Sequence, residues 1–185
     1  MDCRDLKGFT LIELLVVLAI SATLLFLAIP SFSDLIRTSH LATQSHNFVT
    51  AANFARHEAI KRNKHVLICA RAQQGCAAVA VWGDGWIVFV DDGNNKVDDG
   101  EVIRMFDPLS AGYSLQPNVV VGWLKYYPNG SVRRGGGSGG LPLMTFRLCA
   151  PSAADGNLKE YSREIVINAT GRMRLQFGRE IAGAC

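Results

Sequence analysis

Arg172 and Arg174 stand two apart in the segment Asn168-Ala169-Thr170-Gly171-Arg172-Met173-Arg174. Alternate side chains of an extended strand share a face, so the two guanidiniums would project together, about 7 Å apart. That spacing suits successive phosphates, which arginine binds bidentately and without reading a base. Gly171 permits the positive φ of a turn that would present them. Two strand arginines can equally solvate an outer sheet face, with Glu164 or Glu180 as partners. Arg133, Arg134 and Arg179 are weaker candidates for the same basic surface, with Lys159 and Arg163 as further members. Residues 125–185 carry nine basic and four acidic groups, which permits an anionic partner without demanding one.

The second chemically unusual residue is Glu13. It is the single charge in an apolar run from Phe9 to Ile29, 21 residues that follow a short leader holding Arg4 and Lys7. About 20 apolar residues rise roughly 30 Å as a helix, enough for a bilayer core, and the basic leader favours a cytoplasmic start. A carboxylate there costs on the order of 2.5–3.5 kcal/mol on insertion scales, so it needs a partner or a role. Cutting after Gly8 would turn Phe9 into an ammonium terminus that a neighbouring copy could offer to Glu13.

The residues Gly8-Phe9-Thr10-Leu11-Ile12-Glu13 resemble the processing site of type IV prepilins and type II secretion pseudopilins. The resemblance implies that a membrane prepilin peptidase cuts between Gly8 and Phe9 and N-methylates Phe9. It also implies that Glu13 registers the subunit in a growing helical filament.

The other candidate chemistries are thinner. The run Asp91-Asp92-Gly93-Asn94-Asn95-Lys96-Val97-Asp98-Asp99-Gly100-Glu101 looks like a calcium loop, but Gly93, Lys96 and Val102 fall where an EF-hand needs a ligand, a glycine and a bidentate acid. An irregular calcium site on Asp91, Asn95, Asp98 or Glu101 is the alternative to a solvated hairpin tip. Gly135, Gly137 and Gly140 match a phosphate-loop pattern, and Gly136, Ser138 and Gly140 a nucleophile-elbow pattern, only through low complexity, since Pro142 forbids the helix those motifs need. The histidines (His40, His46, His57, His65) have no metal-ligand spacing. No catalytic constellation, cofactor or metal site is expected, and the reading is not an enzyme.

Cys3 falls in the leader, leaving Cys69, Cys76, Cys149 and Cys185. Outside the cytoplasm these pair in one of three ways, and sequence proximity favours Cys69–Cys76 and Cys149–Cys185. A zinc site lacks any C-x-x-C knuckle.

Positioning these residues requires two kinds of element. Pro30 should kink the first helix rather than end it. Beyond it Leu41, Phe48, Ala52, Ala55 and Ala59 draw an apolar stripe on one face, so one bent helix would run from Phe9 to about Lys61, roughly 80 Å. From His65 the period changes to two. Strands are predicted at 66–70, 85–91, 101–106, 119–127, 143–149, 163–168 and 172–177, with a flexible loop at 133–140. Trp82, Trp86, Trp123, Tyr126 and Tyr127 lie in these runs and read as core, with base stacking as the alternative. The fold class is α+β, with a long helix packed on an antiparallel sheet head.

The segments RHEAIKRNKHVLICA, GWIVFVDD and TGRMR resemble the GspH/FimT/FimU branch of minor pilins and pseudopilins. That resemblance implies a leader at 1–8, a transmembrane and assembly half at 9–35, and a periplasmic or extracellular head at 36–185. It implies a minor pilin of a type IV pilus, made in the inner membrane, then displayed on the cell surface with other major and minor pilins. The Gly-Arg-any-Arg motif of FimT-type pilins maps onto Gly171, Arg172 and Arg174 and implies sequence-independent capture of double-stranded DNA for transformation. The rival is a GspH-type pseudopilin of a type II secretion system, and a more distant one is a membrane-tethered enzyme or metal-binding module.

Overall fold

The computed structural model describes residues 9–72, 75–77, 81–98, 100–135, 144–151 and 161–178, without the side chains of 27–31. It divides into two compact units, Met1–Arg37 and Thr38–Cys185. A 52-residue helix, α1 (Leu11–Arg62), belongs to both and continues through Pro30.

In the first unit Thr10 caps α1. Its hydroxyl accepts the Glu13 N–H at 3.3 Å and its carbonyl accepts the Leu14 N–H at 3.2 Å. Thr10 and Glu13 thus stand at the cap and third positions of a helix start, where an acid also complements the helix dipole. The apolar side chains from Leu11 to Phe26 are exposed. Among the described residues no helix is long and apolar enough to cross a membrane. The run read as a membrane anchor, 9–29, ends outside the described side chains.

In the second unit α1 turns a stripe of small residues inward. Leu41, Phe48, Ala51, Ala52, Ala55 and Ala59 are buried, and the alanines let strands approach the helix closely. Asn63, at φ 52°, ends the helix in the left-handed region while the Lys64 N–H reaches back to the Ala59 carbonyl at 3.3 Å. Two residues later the chain is already a strand.

Two antiparallel sheets follow. The first holds β1 (His65–Ala70), β2 (Trp86–Asp91), β3 (Val102–Phe106), β5 (Trp123–Tyr126) and β6 (Val132–Gly135) in the order β3-β2-β1-β5-β6. The second holds β4 (Ser114–Pro117), β7 (Met144–Cys149), β8 (Ser162–Ile167) and β9 (Met173–Phe177) in the order β4-β7-β8-β9. One core joins α1 to both sheets, with Phe48 in ring contact with Trp82, Trp86 and Phe146 at 5.7, 5.1 and 4.8 Å. A smaller cluster of Leu67, Cys69, Ile87 and Phe89 lies on the other face of the first sheet.

Three sequence expectations need correction. The described residues form nine strands rather than seven, because β4 and β6 were not foreseen. The predicted loop at 133–140 begins as β6, and its remainder lies outside the described residues. Gly135 is required there by its partner: a Cβ would meet the Trp123 ring at 2.0 Å, across a register in which the two residues face each other. The predicted strand at 119–127 shrinks to Trp123–Tyr126, and Val121 is instead held by its carbonyl, which accepts the Trp82 Nε1–H at 3.0 Å.

Cys69 and Cys76 are joined by a disulfide across seven positions. Closing so short a loop stabilises by about 2–3 kcal/mol on the chain-entropy argument. Cys149 is also disulfide-bonded, and Cys185, the partner expected for it, lies outside the described residues.

Candidate functional site

The β8–β9 turn is built on Asn168. Its carbonyl accepts the Gly171 N–H at 2.9 Å, and its Oδ1 accepts the Thr170 hydroxyl at 2.8 Å and the Arg172 N–H at 2.9 Å. Gly171 sits at φ 73° with the Gly130 carbonyl 2.4 Å from where a Cβ would be. Gly130, at φ 78°, belongs to the β5–β6 turn, where the Gly130 N–H donates to the Tyr127 carbonyl at 2.8 Å. The two turns therefore lie back to back. Arg56 of α1 clasps them, its Nε donating to the Gly130 carbonyl at 3.0 Å, and the Val132 N–H reaches the Ala169 carbonyl at 3.3 Å. Tyr126 is fully buried beneath, and burial pushes its hydroxyl far up against the smaller pull of Arg56.

From this junction β6 and β9 leave as the outer strands of their sheets. Arg172 and Arg174 are exposed, while Met173 and Leu175 between and beyond them pack on the core. Among the described residues neither arginine takes part in an ion pair. Glu164, a partner weighed for them, is taken by Arg147 at 2.6 Å and by the Gln176 amide at 2.8 Å. Arg133 on β6 is exposed, 5.7 Å from the Tyr127 ring centre, whereas Arg134 is half-buried with its Nε sealed from water. Arg163 lies over the Phe177 ring at 4.5 Å, and burial pulls its guanidinium below its ordinary value. Arg179, Lys159 and Glu180 lie outside the described residues.

The contribution of Arg56 and Gly130 was not foreseen. The Pro128-Asn129-Gly130 turn was legible, but its partner turn is forty residues away in the chain.

The acidic hairpin separates Asp91 from the other acids of its tip. Asp91 is buried and faces inward, its Oδ2 2.7 Å from Lys125 Nζ and its Oδ1 accepting the Asn95 N–H at 2.7 Å. Asp92, Asp98 and Glu101 instead bring oxygens within 4.8 Å of one another at the tip. There the Asp98 N–H donates to Glu101 Oε2 at 3.2 Å and the Asn94 amide donates to Asp98 Oδ2 at 2.6 Å. These acids close the hairpin's own polar groups. Trp82, Trp86 and Tyr126 are buried core, and Trp123 and Tyr127 are half-buried.

The profile of the family described as Type II transport protein GspH matches residues 44–171. The chain belongs to the GspH family. The profile of the prokaryotic N-terminal methylation motif matches residues 3–29, which takes in Gly8, Phe9 and Glu13. The fold is similar to the type IV minor pilin FimU of Pseudomonas aeruginosa, at 20% identity and a TM-score of 0.55 over 75% of this chain and 89% of that one. A second crystal form of FimU gives 20% identity and a TM-score of 0.53 over 74% of this chain and 92% of that one. The minor pseudopilin EpsH of the Vibrio cholerae type 2 secretion system matches at 11% identity and a TM-score of 0.52, over 75% and 97% of the two chains. No curated protein matches it in sequence. This GspH-family chain is thus a minor pilin or pseudopilin with a methylation motif and a type IV pilin-like fold. Its structural relatives are a type IV minor pilin and a minor pseudopilin of a type 2 secretion system.

Proposed function

We propose that the chain is a minor subunit of a type IV pilus. It is cut after Gly8, methylated on Phe9, inserted in the inner membrane through 9–35 and drawn into the filament with Glu13 as its registering acid. The head is exported to the periplasm and then the cell surface, where Arg172 and Arg174 contact the phosphates of double-stranded DNA. The observation that carries the DNA reading is the pair of exposed arginines at the start of an outer strand, neither of them in an ion pair among the described residues. The methylation motif supports the processing step.

Processing is tested on the mature protein. Its mass is expected to correspond to a chain beginning at methylated Phe9, and Glu13→Leu is expected to lose filament incorporation while being made and cleaved normally. A mature chain that keeps its first eight residues, or full incorporation of the variant, would remove the assignment. Thr10 would still cap the helix in that variant, so a fall in incorporation would not come from a lost helix start.

DNA contact is tested with full-length protein in detergent micelles. Arg172→Gln with Arg174→Gln is expected to weaken binding at low salt about tenfold or more and to reduce the slope of log affinity against log salt by about 2, one per phosphate contact. Unchanged affinity and slope would remove the DNA reading and leave the filament reading standing. A type II secretion pseudopilin is the second reading, favoured by the family's own description and by EpsH. Cross-linking in the native cell separates the two, since the captured neighbours belong to a pilus in one case and a secretion pseudopilus in the other.

A further inference from the structure

Asn129-Gly130 is the one Asn-Gly pair in the chain. The fold itself demands the glycine. Gly130 is buried at φ 78°, and a Cβ there would stand 3.1 Å from the Arg56 guanidinium and 3.2 Å from Ile60 Cδ1. That demand leaves Asn129 with the follower that hinders it least. An asparagine side chain is open to attack by the next backbone nitrogen, and a glycine has no Cβ to block the approach. The Gly130 nitrogen bonds to Asn129 Cγ, the Cγ–Nδ2 bond breaks, and ammonia leaves with the amide proton. Water then opens the succinimide at one carbonyl or the other, giving aspartate or isoaspartate.

In this structure both reacting groups are held. Asn129 is exposed to water, but the nucleophile is engaged, because the Gly130 N–H donates to the Tyr127 carbonyl at 2.8 Å. The amide is fixed as well: Asn129 Oδ1 accepts the Ser131 N–H at 3.0 Å and the Ser131 hydroxyl at 2.7 Å. The next carbonyl, of Gly130, accepts Arg56 Nε at 3.0 Å and backs onto Gly171. Releasing the Gly130 nitrogen therefore means loosening the grip of α1 and of the β8–β9 turn together. We propose that Asn129 is a site of spontaneous deamidation gated by the junction of the two turns. While the junction is closed the ring cannot form, and each opening exposes the site. The change is one-way. Isoaspartate adds a methylene to the main chain of the turn, so the Tyr127–Gly130 bond and the Arg56 clasp no longer share a register. The site depends on the turns alone and stands whether or not the chain binds DNA or builds a pilus.

The test follows the amide-to-acid mass gain of the peptide containing Asn129, from full-length protein aged in detergent micelles at mildly alkaline pH. Conversion scales with the population of the open junction, so the native protein is expected to react about tenfold more slowly, or slower still, than the same protein in guanidinium chloride. Two variants separate local opening from global unfolding. Gly171→Ala presses on the Gly130 carbonyl, whereas Lys125→Met weakens the same unit at Asp91 and lies outside both turns. Denaturant added to the stabler variant brings the two to equal overall stability. Gly171→Ala is then expected to convert Asn129 about threefold faster or more, because its junction opens without the rest. Equal rates for native and denatured parent would overturn the proposal. So would a matched Lys125→Met protein that converts Asn129 as fast as Gly171→Ala.

Discussion

Gly171→Val is expected to destabilise the unit Thr38–Cys185 by roughly 3–5 kcal/mol and to lower its thermal midpoint by roughly 6–20 °C. Two costs combine. A side chain at φ 73° enters the left-handed region, and its Cβ would stand 2.4 Å from the Gly130 carbonyl, which is backbone and already bonded to Arg56. Relief requires the two turns to part, which strips the Val132–Ala169 bond and the Arg56 clasp together. Because the obstruction is at Cβ, Gly171→Ala should show most of the same loss. Differential scanning calorimetry decides it: a midpoint within about 2 °C of the parent for either variant would show that the turns are not packed as described. The experiment also sharpens the DNA test. A Gly171 variant that fails to bind DNA says nothing of phosphate contacts, whereas the exposed arginines can be changed without touching this junction.

Lys125→Met is expected to cost about 3–5 kcal/mol at pH 7, because it leaves the Asp91 carboxylate buried without its cation. Adding Asp91→Leu should recover most of that loss, since it is the unpaired charge that is expensive. The pH dependence gives the sign. Burial pushes the Asp91 carboxyl up, but the hydrogen bond from Lys125, the Asn95 N–H, the Lys125 charge and the Gly93 N–H together hold it below its ordinary value. A depressed acid contributes stability above its unfolded value, near about 3.9, and loses it as pH falls through the lower folded value. In Lys125→Met the burial stays and the cation goes, so the carboxyl rises and takes up its proton earlier. The gap between variant and parent in urea unfolding should therefore narrow from pH 7 to about pH 3.5. A gap of equal size at both would mean that Asp91 is not the group responsible.

The long elements were readable because their patterns are local. The alanine stripe of α1 and the apolar runs of β1, β2 and β7 carry their own periodicity, and each strand was placed within a residue or two of its position. β4 and β6 carry none. Ser114–Pro117 is four residues ending in a proline, and Val132–Gly135 reads as the head of a glycine-rich loop; both become strands only because β7 and β5 offer them a ladder. The stretch before β5 erred the other way, as three valines suggest a strand where Val121 is tied down by an indole instead. At the candidate site the exposure of Arg174 follows from alternation in the first half of β9, and Arg172, just before the strand, shares it. What one dimension hides is the distant residue: Arg56, which holds both turns. Arg134 shows the limit from the other side, since its neighbour Arg133 is exposed while its own Nε is sealed in.

Open sheets have ends, and among the described residues three of the four carry guanidiniums: Arg104 on β3, Arg133 and Arg134 on β6, Arg174 on β9. Charge at such margins hinders identical molecules from zipping together into insoluble ladders. Neutralising these arginines thus strips a safeguard as well as the charge offered to a partner. Colloidal behaviour, followed by light scattering at rising concentration, belongs beside every affinity measured on those variants.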